Sequence, residues 1–311
     1  MTARLHDDEV DVTDDVVRAL VDDHDPAWRD LPLRRVRSDG TDNVVYRLGD
    51  ELGVRLPRIH WATGQVAKEA RWLPALAPHL RCAVPEPVAV GAPGHGYPHR
   101  WLTFRWLGGT DLGHAAPVAD AWPARRWESV AGRLGDVVRG LHAVRLPDSP
   151  AAGSRGGPLA PHDDGVRRLI RDVASLAGRD RFDPGRAVGV WEEALAAPGW
   201  GREPVWVHGD LLPGNVLVGG VDEVSDVVGL IDWVAAGLGD PACDAMVAWA
   251  LPPAARQVFR ERAGIDDATW ARSRGWAVEQ AVAFIPYYRT TLPRAVEAAW
   301  QRLDAVLAED V

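Results

Sequence analysis

The chain is 311 residues long, 47% hydrophobic and 25% charged, an ordinary globular composition with enough length for one large domain or two lobes. Its net charge of -9 argues against a nucleic-acid binder, which would carry a basic patch, while an acidic cleft would attract a cationic small molecule. The two cysteines, Cys82 and Cys243, make neither a disulfide framework nor a metal spacing and fit thiols in a reducing cytoplasm; the acidic N-terminus lacks an apolar signal core, and no apolar run approaches the roughly 20 residues of a membrane span.

Residues 1–12 are acidic. Thr13-Asp14-Asp15 is placed to cap a helix whose apolar face is Val16, Val17, Leu20 and Val21, ended by the segment holding Pro26. A first strand is expected over 31–36. Ser38 to Asn43 is a polar turn containing Gly40 and Thr41, followed by strand-like runs at 44–48 and 52–57. Backbone N–H groups and small hydroxyls at such a turn can meet phosphates, although most turns of this composition only join strands. A helix follows from Thr63 or Gln65 to about Leu80, with Trp72, Leu73 and Leu76 inward and Pro74 marking a kink or a break. Lys68, the only lysine of the chain, is expected on its solvated side, next to Glu69.

Residues 84–91 read as an extended connector into a strand, 91–99 as a Gly- and Pro-rich hairpin, and 100–109 as a strand entering a hinge. The longest clean helical pattern is 122–144, ending near His142, a packed or capping residue. Residues 146–165 have loop composition and are longer than most connections inside a domain, so they are either mobile or border a ligand site. Helices are expected at about 165–177, 186–197, 253–263, 267–284 and 294–308, with another starting at Pro241.

The most informative stretch is Val207 to Val218, where apolar runs flank a loop carrying His208, Gly209, Asp210 and Asn215. A second apolar run, Gly229-Leu230-Ile231, then delivers Asp232 and Trp233. Phosphoryl transfer needs these groups: a carboxylate to take the proton of an attacking hydroxyl, and an amide oxygen and a second carboxylate to hold Mg²⁺. Asp210 is the candidate base, and Asn215 and Asp232 the candidate metal ligands.

His-Gly-Asp with Asn five residues after the Asp, then Ile-Asp-Trp, then Gly239-Asp240-Pro241-Ala242-Cys243-Asp244, resembles the aminoglycoside phosphotransferase family. The resemblance runs from Ser38 to Ala250 and is weakest over 110–200. It implies an α+β, two-lobed, protein-kinase-like fold, with a small mixed β N-lobe (1–105) that binds nucleotide and a mainly helical C-lobe (106–311) that carries catalysis and the acceptor. In this resemblance His208 braces its loop, and Asp240 and Asp244 brace the following segment, with Asp244 facing a cationic acceptor as the alternative. Kinases place a lysine on the strand over the phosphates, and the matching residue here is Arg55, with Glu69 as its partner. Ser38, Gly40, Thr41 and Asn43 would cover the nucleotide, and Phe104, Arg105, Trp106 and Leu107 would dock its base through main-chain groups. Leu212 stands where many relatives carry a second histidine.

The reaction so implied moves the γ-phosphoryl of ATP or GTP, with Mg²⁺, to a hydroxyl of an antibiotic of aminoglycoside, macrolide or nucleoside type. A metabolite kinase acting on an amino alcohol or sugar is the alternative, and a non-catalytic nucleotide-binding regulator a further one. The acceptor is a small molecule, with a cationic one compatible; no nucleic acid or membrane partner is expected, and the protein is read as a cytoplasmic monomer or homodimer. Glu279, Gln280, Tyr287, Tyr288 and Arg289 are further residues that would line an acceptor pocket.

Overall fold

The structure, a computed structural model, describes residues 9–36, 42–119, 122–178, 180–219 and 226–309. The chain forms two compact units, Met1–Pro78 with Ala83–Gly108, and His79–Cys82 with Gly109–Val311.

In the first unit the helix α1 (Asp14–His24) precedes β1 (Leu33–Arg35), β2 (Asn43–Leu48) and β3 (Leu52–Pro57), then α2 (Thr63–Leu76), β4 (Pro87–Gly91) and β5 (Trp101–Arg105). The Thr13 hydroxyl accepts from the Val16 N–H at 3.3 Å, the cap that the sequence signals. The five strands form one antiparallel sheet in the order β1-β2-β3-β5-β4. Alternation decides what each face meets. Val44, Tyr46 and Leu48 of β2 stand opposite Leu56, Val54 and Leu52 of β3, and all six are buried in one cluster with Val17, Leu20 and Val21 of α1. Arg55 therefore points to the other face, where α2 presents Glu69. The first strand is shorter than the 31–36 expected. Helix α2 continues through Pro74 and ends at Leu76, short of the expected Leu80.

The second unit opens with β6 (Thr110–Asp111) and α3 (Leu112–Ala119), a helix the sequence pattern does not announce. Then come α4 (Ala124–Ala143), α5 (Asp163–Ala177), α6 (Pro184–Ala196), β7 (Val205–Val207), β8 (Val216–Gly219), β9 (Asp226–Leu230) and β10 (Gly237–Gly239). The chain closes with α7 (Ala242–Ala245), α8 (Pro253–Ala263), α9 (Asp267–Tyr288) and α10 (Pro293–Ala308). Helix α9 is buried along most of its length, from Thr269 to Ile285, and packs on α5, α6, α7 and α10. It outruns the expected 284 and passes Pro286. The helix expected from Pro241 is only the four-residue α7, continued by a 3-10 turn over Met246–Ala250.

Two small antiparallel ladders set the candidate site: β7 pairs β10, and β8 pairs both β6 and β9. Among the described residues no helix is long and apolar enough to cross a membrane.

Candidate active site

The loop from His208 to Asn215 leaves the buried strand β7 and is fixed at its start by Asp244. That carboxylate, fully buried, accepts from the N–H of His208 at 3.0 Å and of Gly209 at 2.9 Å. The His142 ring nitrogen Nε2 lies 3.1 Å from the same carboxylate, so His142 is a packed partner of the loop anchor, and Asp244 is not turned to an acceptor. Gly209 has φ +79°, and a Cβ there would lie 2.7 Å from the Ala235 carbonyl, so both conformation and space demand glycine. The buried His208 ring packs on Trp233, centroids 4.8 Å apart, and its Nε2 lies 3.0 Å from the Ile231 carbonyl oxygen. It braces the strand that delivers Asp232.

Asp210 follows, part-exposed. A 3-10 turn over Pro213–Asn215 brings the Asn215 amide back to donate to the Asp210 carbonyl at 2.8 Å. The Ile231 N–H in turn donates to the Asn215 carbonyl at 3.0 Å, extending the β8–β9 register in which Val216 faces Leu230. Asn215 and the residue before Asp232 are thus stitched together. Asp232 has φ +65°, the left-handed region that a non-glycine residue adopts at some cost and that clusters at functional sites. Because Asn215 donates through its nitrogen, its side-chain oxygen remains as the donor atom for a cation. An amide oxygen plus a carboxylate is the hard-oxygen set that Mg²⁺ takes, and the residues fit it.

The segment after Asp232 is braced as well. Arg272 of α9 grips both oxygens of the buried Asp240, at 2.7 and 2.9 Å. Cys243 is fully buried, and burial with the neighbouring Asp244 and Asp240 charges pushes its thiol well up.

The long segment 146–165 is not loose. Gly153 donates to Ala235 at 2.8 Å, Ala152 to Leu238 at 3.0 Å, Leu238 to Pro150 at 2.8 Å and Asp240 to Gly156 at 2.8 Å, so the segment lies along β10. It carries Arg155, whose Nη1 donates to Asp210 Oδ1 at 2.8 Å and whose Nε donates to Glu279 Oε2 at 2.9 Å. Burial would push this guanidinium down, but the Asp210 and Glu279 carboxylates hold it up. Gln280 accepts from Arg302 Nη2 at 2.9 Å. Burial lowers Arg302 to about 10 against the pull of Asp210. Sequence reasoning missed Arg155 and Arg302: neither belongs to a motif, and each meets its partners only in the fold. It named Glu279 and Gln280 only among several exposed-looking helix residues.

In the first unit, Arg55 Nη1 donates to Glu69 Oε1 at 2.8 Å, and Nη2 donates to the other carboxylate oxygen. Both residues are buried. Lys68 is half-buried rather than solvated: burial pushes its ammonium down, and Glu69 draws it back. Asn43 is buried, and its side-chain amide donates to Gln65 at 3.2 Å. Ser38, Gly40 and Thr41 lie outside the described residues. Phe104 and Trp106 stack, centroids 6.5 Å apart, and Arg47 sits over the Trp106 ring. The Arg105 N–H donates to Glu86 and the Trp106 N–H to Glu51, both at 2.8 Å. These two N–H donors are engaged by backbone carbonyls within the unit.

The profile of the phosphotransferase enzyme family matches residues 33–276. No curated protein matches the sequence. Solved structures do resemble the chain. The GDP complex of aminoglycoside 2'-phosphotransferase-IIIa has a TM-score of 0.69 at 16% identity, covering 93% of this chain and 96% of that one. The ADP-bound aminoglycoside phosphotransferase APH(2'')-Ib has 0.57 at 13%, covering 94% and 98%. Macrolide 2'-phosphotransferase MphH from Brachybacterium faecium has 0.57 at 24%, covering 94% and 99%. At these identities the likeness shows the kinase-like fold. The family match spans most of the chain, including the loop of Asp210 and Asn215 and the strand end of Asp232; the chain belongs to the phosphotransferase enzyme family and is a phosphotransferase with an alcohol group as acceptor.

Proposed function

We propose that the protein transfers the γ-phosphoryl of ATP or GTP to a hydroxyl of an antibiotic, inactivating it in the cytoplasm. The observation that supports this reading is the Asp210–Asn215–Ile231 stitch, which ties the backbone of the part-exposed Asp210 to Asn215 and Asn215 to the residue before Asp232. That proteins of similar fold bind GDP and kanamycin, or ADP, and that another is a macrolide 2'-phosphotransferase, supports a nucleotide donor and an antibiotic acceptor.

Asp210 would accept the proton of the attacking hydroxyl and orient its oxygen toward the phosphorus. Asn215, through its side-chain oxygen, and Asp232 would hold Mg²⁺, which when bound neutralises charge on the phosphates. In the first unit, Arg55 is assigned to the phosphates, kept in place by Glu69, and Leu107 with its neighbours to the base. The fixed charge of Arg55 replaces the usual lysine without a titratable step.

The test is nucleotide consumption with Mg²⁺ and either ATP or GTP, across aminoglycosides, macrolides, nucleoside antibiotics and amino-alcohol metabolites. Acceptor-dependent turnover should fall about 10²–10⁴-fold in Asp210→Asn while nucleotide binding persists. Turnover confined to a metabolite would replace the antibiotic reading, and full activity in Asp210→Asn would remove Asp210 from its role.

A further inference from the structure

Three charged side chains, Arg155, Glu279 and Arg302, gather around the candidate base, all within the second unit. Arg155 bridges Asp210 and Glu279, at 2.8 and 2.9 Å. Arg302 lies close enough to feel the Asp210 charge and is held by Gln280. The two guanidiniums offset the carboxylates of Asp210 and Glu279, with Asp232, the other carboxylate of the candidate site, outside this balance. A positive guanidinium therefore stands directly against the candidate base, in a chain whose net charge is -9.

Arg155 also has little freedom to leave. Its turn is tied just before it by the Gly153 N–H on Ala235 and just after it by the Gly156 carbonyl under the Asp240 N–H, both at 2.8 Å. Its side chain is about three-quarters buried, at 25% exposure. A guanidinium carries five N–H donors in a rigid plane, of which two are engaged by Asp210 and Glu279. The others can donate to an oxygen of an acceptor but cannot accept from an ammonium. Arg155 holds Oδ1 of Asp210, so an acceptor hydroxyl would meet a carboxylate already charge-paired on that side.

We propose that Arg155, set by Glu279 and seconded by Arg302, determines acceptor specificity: it selects a polyhydroxylated acceptor with neutral or anionic oxygens beside the attacked hydroxyl, and disfavours polycations. This rests on Asp210 being the base of a small-molecule kinase. It narrows the acceptor toward the nucleoside type and away from the aminoglycoside type.

The test is calorimetric titration of kanamycin, as a polycationic probe, into the full chain at 20 and 300 mM salt. Wild type, Arg155→Gln, Arg155→Lys and Arg302→Gln are compared, each checked for native melting. Removing one positive charge beside two carboxylates should tighten kanamycin binding at least about tenfold at low salt, with the gain shrinking at high salt. Arg155→Lys, which keeps the charge, should stay within about twofold of wild type. Arg302→Gln should move in the same direction as Arg155→Gln and stands in for it if that variant does not fold. Unchanged or weaker kanamycin binding in the charge-removing variants would overturn the proposal, as would a gain indifferent to salt. The turnover panel separates the two readings. Wild type preferring kanamycin to every neutral acceptor would sink the specificity assignment and leave the kinase standing. Nucleotide consumption stimulated by no acceptor would remove the kinase reading and with it the basis of this assignment.

Discussion

At the residue scale the loop start depends on one carboxylate. Asp244 accepts from two buried backbone N–H groups and faces the His142 ring. Replacing it by alanine leaves those donors without an acceptor in an interior that water does not reach. The expected cost is about 3–5 kcal/mol, read as a lower urea midpoint with an unchanged slope. A midpoint within error of wild type would mean that the loop is held by other contacts. Cys82 gives a pH prediction. Burial raises its thiol from 9.0 to about 12, so the folded chain keeps this proton where the unfolded chain loses it. The contribution is fully present below pH 9 and is lost as pH rises toward 12, amounting to about 1 kcal/mol between pH 8 and pH 10. Urea midpoints of wild type and Cys82→Ala over that range should diverge at the acid end and converge at the alkaline end. Parallel curves would place the thiol in water.

At the element scale the largest helix–helix contact, α4 on α8, turns on a small residue. A Cβ at Gly135 would lie 2.7 Å from Arg262 and 2.9 Å from the Phe259 carbonyl, so the helices touch backbone to side chain there. Gly135→Ala gains helix propensity but forces the pair apart, and a net loss of about 1–3 kcal/mol is expected in thermal unfolding. A stabilised variant would mean that α8 shifts freely. Helices such as α4 and α8 were legible in the sequence because their apolar residues recur at spacings of three and four. The candidate residues Asp210, Asn215 and Asp232 are legible as a set because they lie within 23 positions of one another, the last two flanking the facing ends of the paired β8 and β9. The order of segment 146–165 was not. It comes from main-chain bonds to β10, which any side chain permits, and loop composition reads the same whether such bonds form or not. Arg155 escaped for a related reason, since its partners stand 55 and 124 residues away and no local period connects them. Helix α3 is short, with Pro117 in its sequence, and shows no apolar stripe to detect.

At the scale of the whole molecule, the assigned residues imply a linkage that can be read without knowing the acceptor. A ligand that binds only the folded chain stabilises it by RT ln(1 + [L]/Kd), about 2.7 kcal/mol at a hundredfold excess over Kd. For a chain of this length that raises the melting temperature by several degrees. Mg²⁺ with ATP or GTP should therefore shift the melting curve of wild type, and the preferred base should give the larger shift. Asp232→Asn should lose the part of the shift that depends on Mg²⁺ and keep the rest, because one carboxylate ligand is gone while Arg55 remains. Arg55→Ala should lose most of the shift with either nucleotide, after allowance for the lower starting stability expected when Glu69 is left buried without its partner. Asp210→Asn should keep the full shift, since its carboxylate is assigned to the acceptor and not to the nucleotide. This pattern separates the three roles by thermodynamics alone. A wild type that no nucleotide stabilises, with or without Mg²⁺, would contradict the assignment of all three together.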